Sequence, residues 1–197
     1  MQSDTDSFGL RARRIAAVTP LPPPKMGDAT AALPDDLQSA FLDDVDGAAL
    51  PVFAMLDAAK IPNLPEMLGI WDLPHQCLFQ DDALETAGSV APWIAQIPPD
   101  SALLRGLFTL GDEPLDLWGK DAAVFMRSAA DIATLARHFR KFTKMADPRG
   151  KWFYVRFYDP PYLLALIRAM EPAKQRRFIG PASRLMIPEK DSMWVLD

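Results

Sequence analysis

The chain has 197 residues, 49% of them apolar, and a formal net charge of −5. That length suits one domain with a tail, and no window approaches the roughly 18 consecutive apolar residues of a membrane span. A single cysteine, Cys77, excludes an internal disulfide and fits a reducing compartment.

The first residues, MQSDTDSFGLRARR, lack an apolar stretch behind their charges, so no secretory signal is expected and the cytoplasm is the expected location. Charge is divided along the chain. From Asp28 to Asp121 there are 17 acidic and 3 basic residues, and from Arg137 to Gly180 there are 11 basic and 3 acidic. Two explanations stand side by side: a bipolar surface that steers partners, or two halves that neutralise one another on folding.

Residues 1–47 read as a Pro-rich extension, partly disordered or draped over a domain spanning 48–197. They hold Arg11, Arg13 and Arg14, then Pro20-Leu-Pro-Pro-Pro24, then an acidic stretch from Asp35 to Asp46. Pro20 and Pro23 have PxxP spacing, but a linker is the simpler reading.

The first core element is PVFAML, Pro51 to Leu56, a buried strand ending at Asp57. A short helix follows over Asn63 to Leu68, then a second strand, CLFQ, from Cys77 to Gln80. Ala83 to Ile97 carries Pro92 inside a helix-like pattern and should divide into two pieces. SALLRGLF from Ser101 predicts a short helix, and Gly111 to Gly119 a loop.

AAVFMR, ending at Arg127, predicts a strand, and Ser128-Ala-Ala-Asp131 has capping-box form with Asp at the third helical position. The helix behind it places Ile132, Leu135, Ala136, Phe139 and Phe142 on one face. Arg137, Arg140, Lys141 and Lys144 fall opposite, a candidate partner-binding surface. Asp147-Pro-Arg-Gly150 is turn chemistry.

The stretch KWFYVRFYDPPYLLALI, Lys151 to Ile167, then alternates as a strand. Trp152, Tyr154, Arg156 and Tyr158 would share one side, with Phe153, Val155 and Phe157 on the other. Apolar on both faces, it is expected to be the central strand of a mixed, mainly buried sheet flanked by helices, in an α/β domain. Arg156 among aromatic rings would need a carboxylate or carbonyl partner, for which Asp57 is the candidate. Asp159 has the properties of a helix N-cap, and Pro160 loses no hydrogen bond at the first helical position. Glu171-Pro172 starts another helix, and Gly180 suits its C-terminal cap.

FYVRFYDPPYLLALI followed by PAKQRRFIGPAS resembles the strand–Arg-Phe-Tyr-Asp-Pro–helix and Phe-x-Gly-Pro pattern of domain-of-unknown-function family 4123 (DUF4123). VFAMLDAAKIPNL, LFQ, APWIAQI and ARHFRKFTKM are similar to the family's upstream segments, in order, so the resemblance runs from about Pro51 to Pro181. One departure is Pro161, where many relatives carry Arg. The part beyond the pattern, Ala182 to Asp197, is short.

The resemblance implies a non-enzymatic bacterial adaptor or chaperone of the type VI secretion system. Its partners would be a secreted effector and the valine-glycine repeat spike protein, with no cofactor, metal or membrane. Asp57, Arg156, Tyr158, Asp159, Pro160 and Gly180 would then be structural residues of a docking platform.

Two other classes compete. A small α/β enzyme would use His138 and Asp159, with Arg156 and Asp57, as an acid/base and anion-binding set. It would do so without a Gly-rich phosphate loop, GxSxG, HExxH or CxxC in the sequence. His75 and Cys77 share a strand face, but too few further histidines and cysteines exist for a structural zinc site. Nucleic acid could meet the basic face of Arg137 to Lys144 with Lys174, Arg176 and Arg177, although the net acidic charge argues against it.

Overall fold

A computed structural model describes residues 8–24 and 32–197. The α/β class holds: a seven-stranded sheet is covered by helices on both faces. The strands are β1 (Ala12–Ile15), β2 (Val52–Asp57), β3 (His75–Cys77), β4 (Pro92–Gln96), β5 (Ala123–Arg127), β8 (Arg184–Glu189) and β9 (Ser192–Leu196). Their order is β1-β9-β8-β5-β2-β4-β3. Where a mixed sheet was expected, every pairing between these strands is antiparallel.

Alternation along β2 explains the layering. Val52, Ala54 and Leu56 enter one core with α1 (Gln38–Leu42), α2 (Leu64–Ile70) and α4 (Ala102–Phe108). Phe53 and Met55 enter the other, with α5 (Ile132–Phe139), α6 (Pro160–Ala169) and α7 (Pro172–Ile179). All six β2 residues are therefore buried, the pattern of a strand with no wet face.

Ala83–Ile97 divides as expected, into α3 (Asp82–Ala87) and β4 beginning at Pro92. The second strand lies slightly earlier than the expected Cys77–Gln80, over His75–Cys77. Ser101 caps α4 by accepting from the Leu104 N–H. At α5 the cap is Asp131, accepting from the Thr134 N–H at 2.7 Å, rather than Ser128. Ser128 instead accepts from the Ala130 N–H and donates to the Pro181 carbonyl.

The central-strand expectation for Trp152–Tyr158 is corrected. Only Trp152–Tyr154 form a strand, β7, paired with β6 (Lys144–Ala146) in a separate two-stranded ribbon. The expected turn joins them: Asp147 Oδ1 accepts from the N–H groups of Arg149 and Lys151, and Gly150 supplies a φ of +81°. After Tyr154 the chain leaves the ribbon, and Phe157 and Tyr158 enter the core between α5, α6 and α7. The three middle positions belong to β2 and β5, and to β8 from the short C-terminal part.

The described part of the Pro-rich N-terminal segment is integral to the fold. β1 forms an edge of the sheet against β9, and Phe8 packs on Trp194. Leu21 exchanges backbone hydrogen bonds with Phe108 and Leu110, and Arg105 donates to the Pro22 carbonyl. Leu37, Ala40 and Phe41 are buried, so the core does not begin at residue 48. The rest of the expected extension, residues 1–7 and 25–31, lies outside the described residues.

Candidate functional site

Charged side chains gather where β2 ends. Asp57 is fully buried, a position that demands partners for its carboxylate. It accepts from the Ala59 N–H at 3.1 Å and from Arg156 Nη2 at 2.5 Å. Asp159 caps α6 through the Tyr162 N–H and lies 4.0 Å from Arg156. Lys60 Nζ ties the group together, donating to Asp159 Oδ2 at 3.0 Å and to the Asp121 carbonyl at 2.9 Å. Pro160 sits at the start of α6 as expected.

Arg156 is not enclosed by rings: its side chain is 51% exposed, while that of Asp57 is 0% exposed. Burial opposes its charge, but Asp57, through charge and hydrogen bond, outweighs that and raises its pKa. Tyr158 stands beside it, with the guanidinium 5.9 Å from its ring centre. Burial, reinforced by the Asp57 charge, pushes the phenol up to about 12. Burial also raises the Asp121 carboxyl. The Asp57–Arg156 contact links the end of β2 to the segment just after β7, so the cluster anchors the base of the ribbon.

Above that base the β6–β7 ribbon presents an unusual surface. Trp152, Phe153 and Tyr154 are 67%, 44% and 51% exposed, joined by Met145 and Tyr162. Aromatic residues at this density are normally buried, and exposed apolar patches mark interaction sites. Two clefts flank them. One, of about 470 Å³, is lined by Phe153, Tyr154, Arg156, Asp159 and Tyr162; the other, of about 460 Å³, by Lys144, Trp152, Phe153 and Tyr154. Tyr154 also packs on Phe79 at 4.7 Å, and Lys144 Nζ lies 5.1 Å from its ring centre.

The remaining candidates are scattered. Arg137, Lys141 and Lys144 are exposed but do not share the expected helix face, because α5 ends at Phe139 and Lys144 belongs to β6. Arg140 turns back to donate to the Cys77 carbonyl and Gln76 Oε1, tying the end of α5 to β3. His138 hydrogen-bonds the Phe178 carbonyl at 2.8 Å. Its ring fills the space where a Cβ on Gly180, at φ +59°, would come within 2.2 Å. His138 and Asp159 thus serve different joints. His75 bonds the Leu73 carbonyl, and burial raises the Cys77 thiol. Among the described residues no group of three or more His, Cys, Asp or Glu is placed to hold a metal.

Sequence reasoning missed two features. Arg127 and Arg184, opposite one another across β5 and β8, cap the end of α1 through the carbonyls of Phe41, Asp43 and Ala40. Burial, then the neighbouring Arg184, lowers the Arg127 pKa. The exposure of the ribbon was also missed. Its available signal was the density of Lys and Arg around the Asp147–Gly150 turn, which is unusual for a central strand.

Residues 52–177, from the start of β2 into α7, match the family described as a domain of unknown function, DUF4123. The chain belongs to the DUF4123 family. No curated protein and no solved structure matches it. The matched span holds the whole Asp57–Lys60–Arg156–Asp159 cluster and the ribbon. Strands β1, β8 and β9 of this DUF4123 member lie outside it, although β8 pairs directly with β5 within.

Proposed function

We propose that this chain is a non-enzymatic adaptor of the type VI secretion system. In the cytoplasm it binds an effector and helps load it onto the valine-glycine repeat spike protein. The observation that carries this reading is the aromatic ribbon held out in solvent while the charged residues at its base are engaged with one another. An active site has the opposite layout, with unspent polar groups inside a sheltered pocket. Membership of DUF4123 and the Arg156-Phe-Tyr-Asp-Pro160 motif agree with it.

A secreted effector has surface to shield before loading, and a rigid platform with an apolar patch and charged surroundings can shield it reversibly. The enzymatic alternative has less support, because His138 and Asp159 are spent on separate structural contacts. Co-expression with candidate type VI effectors from the same genome tests the proposal. The expected result is a complex that survives size exclusion and a higher yield of soluble effector. Purification of the protein alone, together with normal effector secretion in its absence, would overturn it.

A further inference from the structure

We propose that the β6–β7 ribbon is the docking element, and that its occupant is an extended segment of a partner protein in which carboxylates alternate with apolar side chains. The inference rests on the adaptor reading for the partner being a protein, and it adds the chemistry of the segment that binds.

Register supplies the first argument. Met145 pairs directly with Phe153, so their side chains share one face, while Trp152 and Tyr154 occupy the other. Phe153 and Tyr154, from opposite faces, line both clefts, and Tyr and Trp are the residues that most often anchor interfaces. The ribbon has two strands and no third among the described residues. Such a pair leaves backbone donors and acceptors along its edges, which an extended chain satisfies by strand addition.

Charge supplies the second argument. Between Arg140 and Arg156 there are six basic residues and one acidic residue, Asp147. Asp147 is occupied by its own turn. Lys141, Lys144, Arg149 and Lys151 are exposed and have no ion pair among the described residues. An apolar strip rimmed by uncompensated cations selects for carboxylates beside apolar groups, and repels a basic segment of equal hydrophobicity. Period-two alternation in the partner would set its apolar side chains on the ribbon's rings and its carboxylates toward the lysines.

The test is fluorescence anisotropy on the full chain with a labelled synthetic peptide alternating Glu with Phe and Leu, against its Glu→Lys counterpart. The acidic peptide is expected to bind, more weakly as salt is added. Affinity should fall about tenfold or more in Trp152→Ser/Phe153→Ser and in Lys144→Glu/Lys151→Glu. Circular dichroism and thermal unfolding of both variants should match the parent, because the replaced side chains are exposed. Equal binding of the basic peptide, or indifference to both variants, overturns the inference. So does displacement of the acidic peptide by a single-stranded oligonucleotide that binds the ribbon more tightly. A concentration-dependent dimer in sedimentation, abolished by Trp152→Ser, would assign the surface to a second copy instead.

Effector co-purification with the same variants separates this inference from the adaptor reading. A complex that persists in both variants leaves the adaptor intact and removes the ribbon as its docking element. Peptide binding that follows the expected pattern without any effector complex does the reverse.

Discussion

Strands β5 and β7 both consist largely of apolar and aromatic residues. AVFMR runs between β2 and β8 and is buried at every position; WFY pairs only with KMA and is exposed at every position. Apolar composition is therefore not what seals a strand. β5 is sealed because a strand lies on each side of it and helices lie on each face, whereas β7 has one short neighbour. A fold tolerates such a ribbon when its base is fixed, and here the base is the Asp57–Arg156–Asp159–Lys60 cluster.

Matched substitutions can break this comparison. Phe125→Ala in β5 removes a ring packed against Phe41 and Phe108, and should cost about 3–5 kcal/mol in urea unfolding. A smaller loss would mean that the sheet's core is looser than its packing implies. Gly180→Ala comes next, at about 1–3 kcal/mol, because it combines a positive φ with a collision against His138. Pairing it with His138→Ala should recover part of that loss in a double-mutant cycle, which isolates the collision from the backbone strain.

The third test uses pH and concerns the buried side of the ribbon's base. The Tyr158 phenol is raised to about 12 in the folded protein, against about 10 for an unfolded chain. The unfolded state therefore loses this proton first on raising pH. The stability associated with Tyr158 is complete below pH ~10 and is lost as pH climbs toward about 12. Urea midpoints across that alkaline window should fall more steeply for the parent than for Tyr158→Phe. Identical slopes would place the phenol in contact with water.

The smallest expected effect is the sharpest counterpart to Phe125. Phe153→Ala should change stability by no more than about 0.5 kcal/mol, as for other exposed positions. The same class of residue would then differ several-fold in its contribution to stability according to its strand neighbours. A large destabilisation by Phe153→Ala would show that the ribbon is part of the core, and would remove the reason to assign it to a partner.

Much of the local structure was legible in the order of residues. Asp159 before Pro160, Ser101 before an apolar helix, and Gly180 after the α7 pattern each signal a helix end through hydrogen bonding or backbone geometry confined to a few residues. The Asp57–Arg156 pair was also accessible, because a charge at the end of a wholly apolar strand needs an opposite charge. At α5 Ser128 and Asp131, three positions apart, are both competent caps, and the choice of Asp131 depends on how the preceding strand delivers the chain.

The order of residues alone was enough for several elements between β2 and α7, for where some of them stop, and for membership of the DUF4123 family through the Asp57-to-Pro160 motif residues. It carried no reading of β1, α1, β8 or β9 and took Lys144 of β6 for part of a helix. Only the tertiary structure decided that β8 and β9 enter the sheet beside β5, that β1 forms its edge, and that Trp152–Tyr154 remain in water. The physical reason is one of range. Caps, prolines and turn glycines act over a few bonds, but burial of a strand depends on what pairs with it from residues far away in the chain.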